Sequence, residues 1–238
     1  MRAVILAGGK GTRLKPYTNV IPKPLMPIGD MSILEVLIHQ LQRAGVHEVI
    51  LTVGHKADLL HAFFQDGQRF GIPIRYSYED KPMGTAGPLK IVKGLPKTFL
   101  VMNGDVLTDL DFSDLVRFHK ETQSMVTIAM YNRHVNIDLG VLQFNDGYQV
   151  TGYIEKPTYE FNVSMGVYVF ELAALDYIPA DEHFDFPSLI LKLIENGQKV
   201  SGYPFTGYWQ DLGRPDDYEQ AVEDFDKMKH IFLPDQVE

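Results

Sequence analysis

Apolar residues in the first half of the chain fall into two patterns. Short runs rich in branched side chains, Ala3 to Leu6, Val49 to Val53, Ile72 to Tyr76 and Phe99 to Met102, read as strands. Between them, Ile33 to Ala44 and Ala57 to Phe70 place apolar residues at helical spacing. This βαβα alternation predicts an α/β fold with a mostly parallel sheet. From about residue 125 the strand-like runs crowd together: Met125 to Met130, Gly140 to Phe144, Val150 to Glu155 and Met165 to Phe170. Turn signals such as Asn145-Asp146-Gly147 then imply antiparallel pairing. Two later helices are predicted, Pro187 to Glu195 and Pro215 to Lys229, each with proline at the favoured first position.

Composition narrows the function. A chain of 238 residues that is 45% hydrophobic can bury one substantial core, so one domain is expected. With 22 basic against 31 acidic residues and no basic run, it lacks the long cationic face that nucleic acid or an anionic membrane would need. The absence of cysteine excludes disulfides, thiolate zinc sites and a thiol nucleophile. The apolar start turns glycine-rich too soon for a signal peptide, and no apolar run is long enough to span a membrane, which predicts a cytoplasmic location. No repeat, low-complexity segment or linker is present.

One stretch departs from the acidic average. Residues 1–29 hold Arg2, Lys10, Arg13, Lys15 and Lys23 and no acid, around the loop Leu6-Ala7-Gly8-Gly9-Lys10-Gly11-Thr12-Arg13. A strand followed by a glycine loop presents backbone N–H groups to a phosphate, and the local cations suggest a small anionic ligand. A dinucleotide fingerprint is excluded because Leu14 stands where its third glycine belongs. A P-loop is excluded too: Gly11 separates Lys10 from Thr12, and Val4 stands where the first glycine should be. A plain surface turn would not explain the gathered cations.

Gly8 to Leu14, followed by Pro22-Lys23-Pro24-Leu25, resembles the signature of the sugar-1-phosphate nucleotidylyltransferases, and the resemblance covers essentially the whole chain. It implies a Rossmann-like mixed sheet flanked by helices, with a smaller antiparallel sugar-binding portion. The nucleotide-binding part would span about 1–125, the sugar-binding part about 126–210 and a C-terminal helix about 215–229. Leu6, Ala7, Gly8, Gly9, Gly11 and Thr12 would surround the nucleotide. Arg13 would contact the β and γ phosphates, and Lys23 the α-phosphate. A triphosphate under attack by a second phosphate needs such charge neutralisation in any case.

The acids follow the same logic. Asp105 ends an apolar run, at the carboxyl end of a strand where open α/β sheets bind ligands, although acids there are often only caps. Asn103-Gly104-Asp105 matches the family's metal-binding acid, and Asp211 in Tyr208-Trp209-Gln210-Asp211-Leu212-Gly213 would complete a Mg²⁺ site. Two carboxylates with phosphate oxygens and waters suit that hard cation. A chemical rival is Asp109-Leu110-Asp111, the DxD of metal-dependent glycosyltransferases, yet Asp111 reads equally as the cap of a helix through Leu115 and Phe118.

Specificity is carried elsewhere. Glu155-Lys156-Pro157 resembles the family's sugar and sugar-phosphate motif, and Gly140 and Gly166 match glycines beside the sugar. Leu139 replaces the usual Tyr and Ser164 the common Asn, so the sugar stays open among mannose, manno-heptose and glucosamine types. Glu79 to Gly87, with Gly84 and Thr85, looks most like the base loop of guanylyltransferases. The Glu79 carboxylate could accept both the N1–H and N2–H of guanine, whereas uracil and thymine offer one donor. GTP is therefore preferred, with UTP or dTTP and a glucose-type phosphate as the alternative. A catalytically silent nucleotide-sugar sensor on the same fold is the contrasting reading. The chain ends soon after its last helix, without room for the tail of longer relatives, and a monomer or small homo-oligomer is expected.

Overall fold

The computed structural model describes residues 1–236. In chain order its elements are β1 (Arg2–Leu6), β2 (Pro27–Ile28), β3 (Met31–Ser32), α1 (Ile33–Arg43), β4 (Glu48–Val53), α2 (Ala57–Phe64), β5 (Ile74–Tyr78), α3 (Gly87–Ile91), β6 (Thr98–Asn103) and β7 (Val106–Thr108). There follow α4 (Phe112–Thr122), β8 (Val126–Asn136), β9 (Val141–Phe144), β10 (Val150–Ile154), β11 (Thr158–Glu171), α5 (Phe186–Glu195), β12 (Val200–Phe205), β13 (Trp209–Asp211) and α6 (Pro215–Phe232).

The main sheet has the order β12-β8-β11-β6-β1-β4-β5. Only β11 runs against its neighbours; the other pairs in the sheet are parallel. Helices cover both faces, which is why the central strands read as nearly continuous apolar runs. Ala3 and Ile5 of β1 face α1, α2 and α4 through Leu37, Leu60 and Leu115, while Val4 faces α3 and α5 through Leu89 and Leu189. All of these side chains are buried, and each large one contributes about 1.5–3 kcal/mol. A third cluster, including Met26, Val36, Leu107, Leu212, Phe225 and Phe232, fastens α6 beside β7 and β13. No helix among the described residues is long and apolar enough to cross a membrane.

Several boundaries differ from the sequence reading. The second helix stops at Phe64 rather than Phe70, because Gln65 and Gly67 take positive φ and a short 3-10 turn (Gln68–Phe70) leads into β5, which starts at Ile74. The fifth helix begins at Phe186, so Pro187 is its second residue, a position where a backbone N–H would have no intrahelical partner and its lack in proline costs nothing. The last helix runs on to Phe232 because that side chain stacks on Phe225 inside the third cluster.

The antiparallel portion is larger than its apolar runs suggested. Beyond Tyr131 and before Val163, β8 and β11 leave the helix layers and continue as a two-stranded ribbon, from Tyr131 opposite Val163 to Asn136 opposite Thr158. One face of this arm carries Tyr131, Arg133, Val135, Tyr159, Phe161 and Val163, and the other Asn132, His134, Asn136, Thr158, Glu160 and Asn162, as alternation across a strand requires. At the far end β9 and β10 form the expected hairpin, with Val150 opposite Phe144 and Ile154 opposite Val141.

Candidate active site

A cavity of about 890 Å³ opens at the carboxyl ends of β1, β4, β5 and β6. Its floor is the glycine loop, and Leu6 through Arg13 all line it. Neighbouring strands pin this loop from below: Ala7 N donates to Thr52 O (2.9 Å), His55 N to Gly8 O (3.3 Å) and Gly104 N to Leu6 O (3.0 Å). At Gly8 the packing admits no side chain, since a Cβ would lie 2.5 Å from Glu79 Oε1 and 3.3 Å from Gly54 N. Thr12–Leu14 form a 3-10 turn whose Leu14 is buried, which anchors the turn and leaves Arg13 on the cavity wall.

Lys23 enters from another 3-10 turn, Lys23–Leu25, held between Pro22 and the buried Pro24. The lysine is itself buried, and its Nζ pairs with Asp105 Oδ2 and lies 3.9 Å from Asp211 Oδ1. These two acids, remote in sequence, meet because β7 and β13 pair antiparallel with Asp211 opposite Val106, and Leu212 N donates to Asp105 O (3.0 Å). Burial pushes the Asp211 carboxyl up and the Asp105 charge adds to it, against Lys23 and Arg13, which pull it down. Asp105 Oδ1 is buried and has no hydrogen-bond partner among the described residues. An orphaned carboxylate oxygen beside a second acid that resists ionisation is a donor set that a divalent cation satisfies.

Trp209, two residues before Asp211, ties this corner to the arm. Its Nε1 donates to Met165 O (3.0 Å) and its ring centroid is 5.4 Å from that of Tyr131. Met165 lies in the irregular stretch of β11 between Ser164 and Tyr168, where the register with β8 shifts. Ser164 Oγ donates to the Tyr168 hydroxyl (3.0 Å) and accepts from Gly166 N (3.3 Å). Gly166 in turn abuts Asn103, a lining residue of the cavity.

On the opposite wall, Glu79, Gly84 and Thr85 all line the cavity. Glu79 is half-buried; burial raises its carboxyl above the usual range, and a hydrogen bond from Met83 N to Oε2 (3.2 Å) works the other way. Gly140, Glu155 and Lys156 are placed differently. All three sit on the arm outside the cavity lining, with Glu155 Oε2 accepting from the Tyr153 hydroxyl (3.0 Å) and Gly140 close against that same tyrosine. The DxD acids are engaged in the scaffold: Asp111 Oδ1 caps α4 by accepting from Ser113 N (2.8 Å) and Asp114 N (3.3 Å), and Asp109 Oδ1 accepts from Tyr208 N (2.8 Å). The cavity also takes in Lys81, Met83 and His183, none of them singled out by the sequence. His183 reaches it from the loop before α5, and no motif marks that loop.

Known proteins supply a consistent context. The family model described as nucleotidyl transferase matches residues 2–227. UTP–glucose-1-phosphate uridylyltransferase of Synechocystis is 34% identical over 93% of this chain and 62% of its own length. Mannose-1-phosphate guanylyltransferase of Mycobacterium tuberculosis is 34% identical over 93% of this chain and 64% of its own length. The chain thus spans just under two thirds of the curated relatives it matches. HddC from Yersinia pseudotuberculosis, solved complexed with GMP-PN, is 27% identical with a TM-score of 0.71, covering 94% of this chain and 99% of that one.

Proposed function

The chain belongs to the nucleotidyl transferase family, and on that premise we propose that it transfers a nucleotidyl group from an NTP, with GTP preferred, to a sugar 1-phosphate of mannose, manno-heptose or glucosamine type. The products are an NDP-sugar and pyrophosphate. The observation that carries this reading is the convergence of the glycine loop, Arg13, Lys23 and Asp105 on one cavity, with Asp211 Oδ1 3.9 Å from Lys23 Nζ and Asp105 Oδ1 without a hydrogen-bond partner among the described residues.

The glycine loop offers N–H groups to the triphosphate, and Arg13 orients the pyrophosphate portion. Lys23 stabilises charge that builds on the α-phosphate as a sugar-phosphate oxygen forms its bond to that phosphorus and the bond to the β-phosphate oxygen breaks in line. Asp105 and Asp211 would hold Mg²⁺, which when bound supplies charge neutralisation for the phosphates. Glu155 binds sugar hydroxyls, Lys156 counters the acceptor's phosphate, and Gly140, Ser164 and Gly166 flank the hexose.

The base assignment rests on Glu79. Its second carboxylate oxygen is not used by Met83 N, and its place on the cavity wall suits the paired donors of guanine. The guanylyltransferase relative and the GMP-PN complex of HddC agree with that choice. Uridylyl transfer to glucose 1-phosphate is a second reading, favoured by the similarity to the Synechocystis enzyme. Pyrophosphate release measured over GTP, UTP, dTTP, CTP and ATP against several sugar 1-phosphates separates them. GTP with a manno-configured acceptor is expected to give the highest kcat/KM, and Glu79→Gln to reduce the GTP-to-UTP ratio by about tenfold or more. A UTP or dTTP preference in the wild type would overturn the base assignment, and nucleotide binding without release across the panel would favour a sensor.

A further inference from the structure

The base loop, Asp80 to Gly87, is held almost entirely by the segment Asp181–Phe186, which lies 100 residues further along the chain. Lys81 Nζ donates to Asp181 O (2.7 Å), Phe184 N to Met83 O (2.9 Å), and Ala86 N and Gly87 N both to Phe184 O (2.9 Å each). Gly84 has φ +81, and a Cβ on it would lie 2.7 Å from Phe184 O and 2.8 Å from Asp185 Oδ1. The two segments touch at backbone distance.

Asp185 occupies the N-cap position of α5 with the extended backbone that a capping residue adopts, yet its side chain makes no bond to its own helix. Its Oδ1 instead accepts from Thr85 N (2.9 Å) and from the Thr85 hydroxyl (3.2 Å). Thr85 Oγ1 then accepts from Phe186 N (2.9 Å), the first N–H of α5. The two residues exchange the work of a cap across the cavity wall. From Thr85 the connection runs through Gly84 to Met83, whose N–H donates to Glu79 Oε2. His183, from the same segment, lines the cavity beside these residues.

We infer that Asp185 is a positioning residue for nucleotide selection: by holding Thr85 it fixes the base loop and, through Met83, the orientation of the Glu79 carboxylate. The inference rests on the reading of Glu79 as the group that meets the base. One acceptor oxygen at this position takes both the N–H and the hydroxyl of Thr85, so its removal loosens the loop rather than the helix.

The separating variant is Asp185→Ser. Serine is a good N-cap and can cap α5 by itself, but it is too short to reach Thr85. Equilibrium binding of GTP and of UTP, each with Mg²⁺ and without sugar phosphate, is to be measured alongside steady-state kinetics and thermal unfolding. Asp185→Ser is expected to weaken GTP binding and raise the KM for GTP about tenfold, to leave kcat within about threefold, and to shrink the GTP-to-UTP affinity ratio. Asp185→Asn keeps an acceptor oxygen at the same reach and is expected to restore both affinity and ratio to within about threefold. A wild-type ratio in Asp185→Ser overturns the inference, as does a loss in Asp185→Asn equal to that in Asp185→Ser. If the wild type binds no NTP, the proposed function fails instead, so the two failures are distinct.

Discussion

The parallel half of the sheet is covered by helices on both faces and built from nearly continuous apolar runs, whereas the arm beyond Tyr131 alternates apolar and polar residues and is left uncovered. In the parallel half, the ends of β1, β5 and β6 deliver the glycine loop, Glu79 and Asp105 to one cavity, with the inner residues of β1 and β6 buried. In the arm, Phe161 is 53% exposed and Tyr153 62%, and Glu155 and Lys156 ride on strand ends outside the cavity. The proposed nucleotide side is therefore organised within the packed, hydrogen-bonded body of the sheet, whereas the position of the proposed sugar side depends on how the arm is set relative to the sheet. Preorganised charge has its largest effect where water is excluded, so the chemistry should depend most on the first region and acceptor capture on the second.

The sharpest way to break this comparison is at the acid corner. Lys23→Ala or Asp211→Ala is expected to lower pyrophosphate release by about 10²- to 10³-fold, and near-normal turnover would remove these residues from the reaction. Stability offers the next contrast, by chemical denaturation. Leu100→Ala, which truncates a fully buried side chain of β6, should cost about 2–5 kcal/mol, whereas Phe161→Ser on the arm should stay within about 0.5 kcal/mol. A large cost at Phe161 would mean that the arm is covered in solution. Lys156→Ala should raise the KM for the sugar phosphate about tenfold while leaving the KM for GTP unchanged; an equal rise in both would erase the division between the two regions.

The smallest expected effect concerns pH. His119, in the last turn of α4, is buried, with Nδ1 2.8 Å from Thr127 Oγ1 and Nε2 3.3 Å from Glu171 Oε1. Burial depresses its pKa, and the Glu171 carboxylate only partly opposes this. The unfolded chain thus takes up a proton near the ordinary value of 6.5 that the folded protein resists. Stability from this group is complete above that value and declines as pH falls below it. Thermal unfolding at pH 7.5 and 5.5 should show a smaller difference for His119→Gln than for the wild type.

How much of this was legible depended on whether the cause was local. β1, β4 and β6 were readable because burial on both faces leaves short apolar runs, and Asp105 was readable because it follows one of them. β12 was not: Gly202 and Pro204 interrupt its pattern, and they are tolerated because this strand lies at the sheet edge. The ribbon halves of β8 and β11 were missed for a related reason, since alternation through Arg133, His134 and Glu160 resembles a polar loop until the pairing is seen. The engagement of Asp185 with Thr85 left no trace at all. A helix cap supplied from a residue so distant in the chain has no spacing by which to be recognised.

Trp209 is the single tryptophan of the chain, and it joins β13, the stretch around Met165 and the root of the arm at Tyr131. The protein therefore carries its one indole fluorophore, selectively excitable above the absorption of its twelve tyrosines, at the boundary between its two regions. Its emission is free of overlap from other indoles, and its indole N–H is bonded to a carbonyl that moves with β11. Nucleotide with metal would act on it through Asp211, and a sugar phosphate through the arm, so one unlabelled optical signal can time the arrival of each substrate.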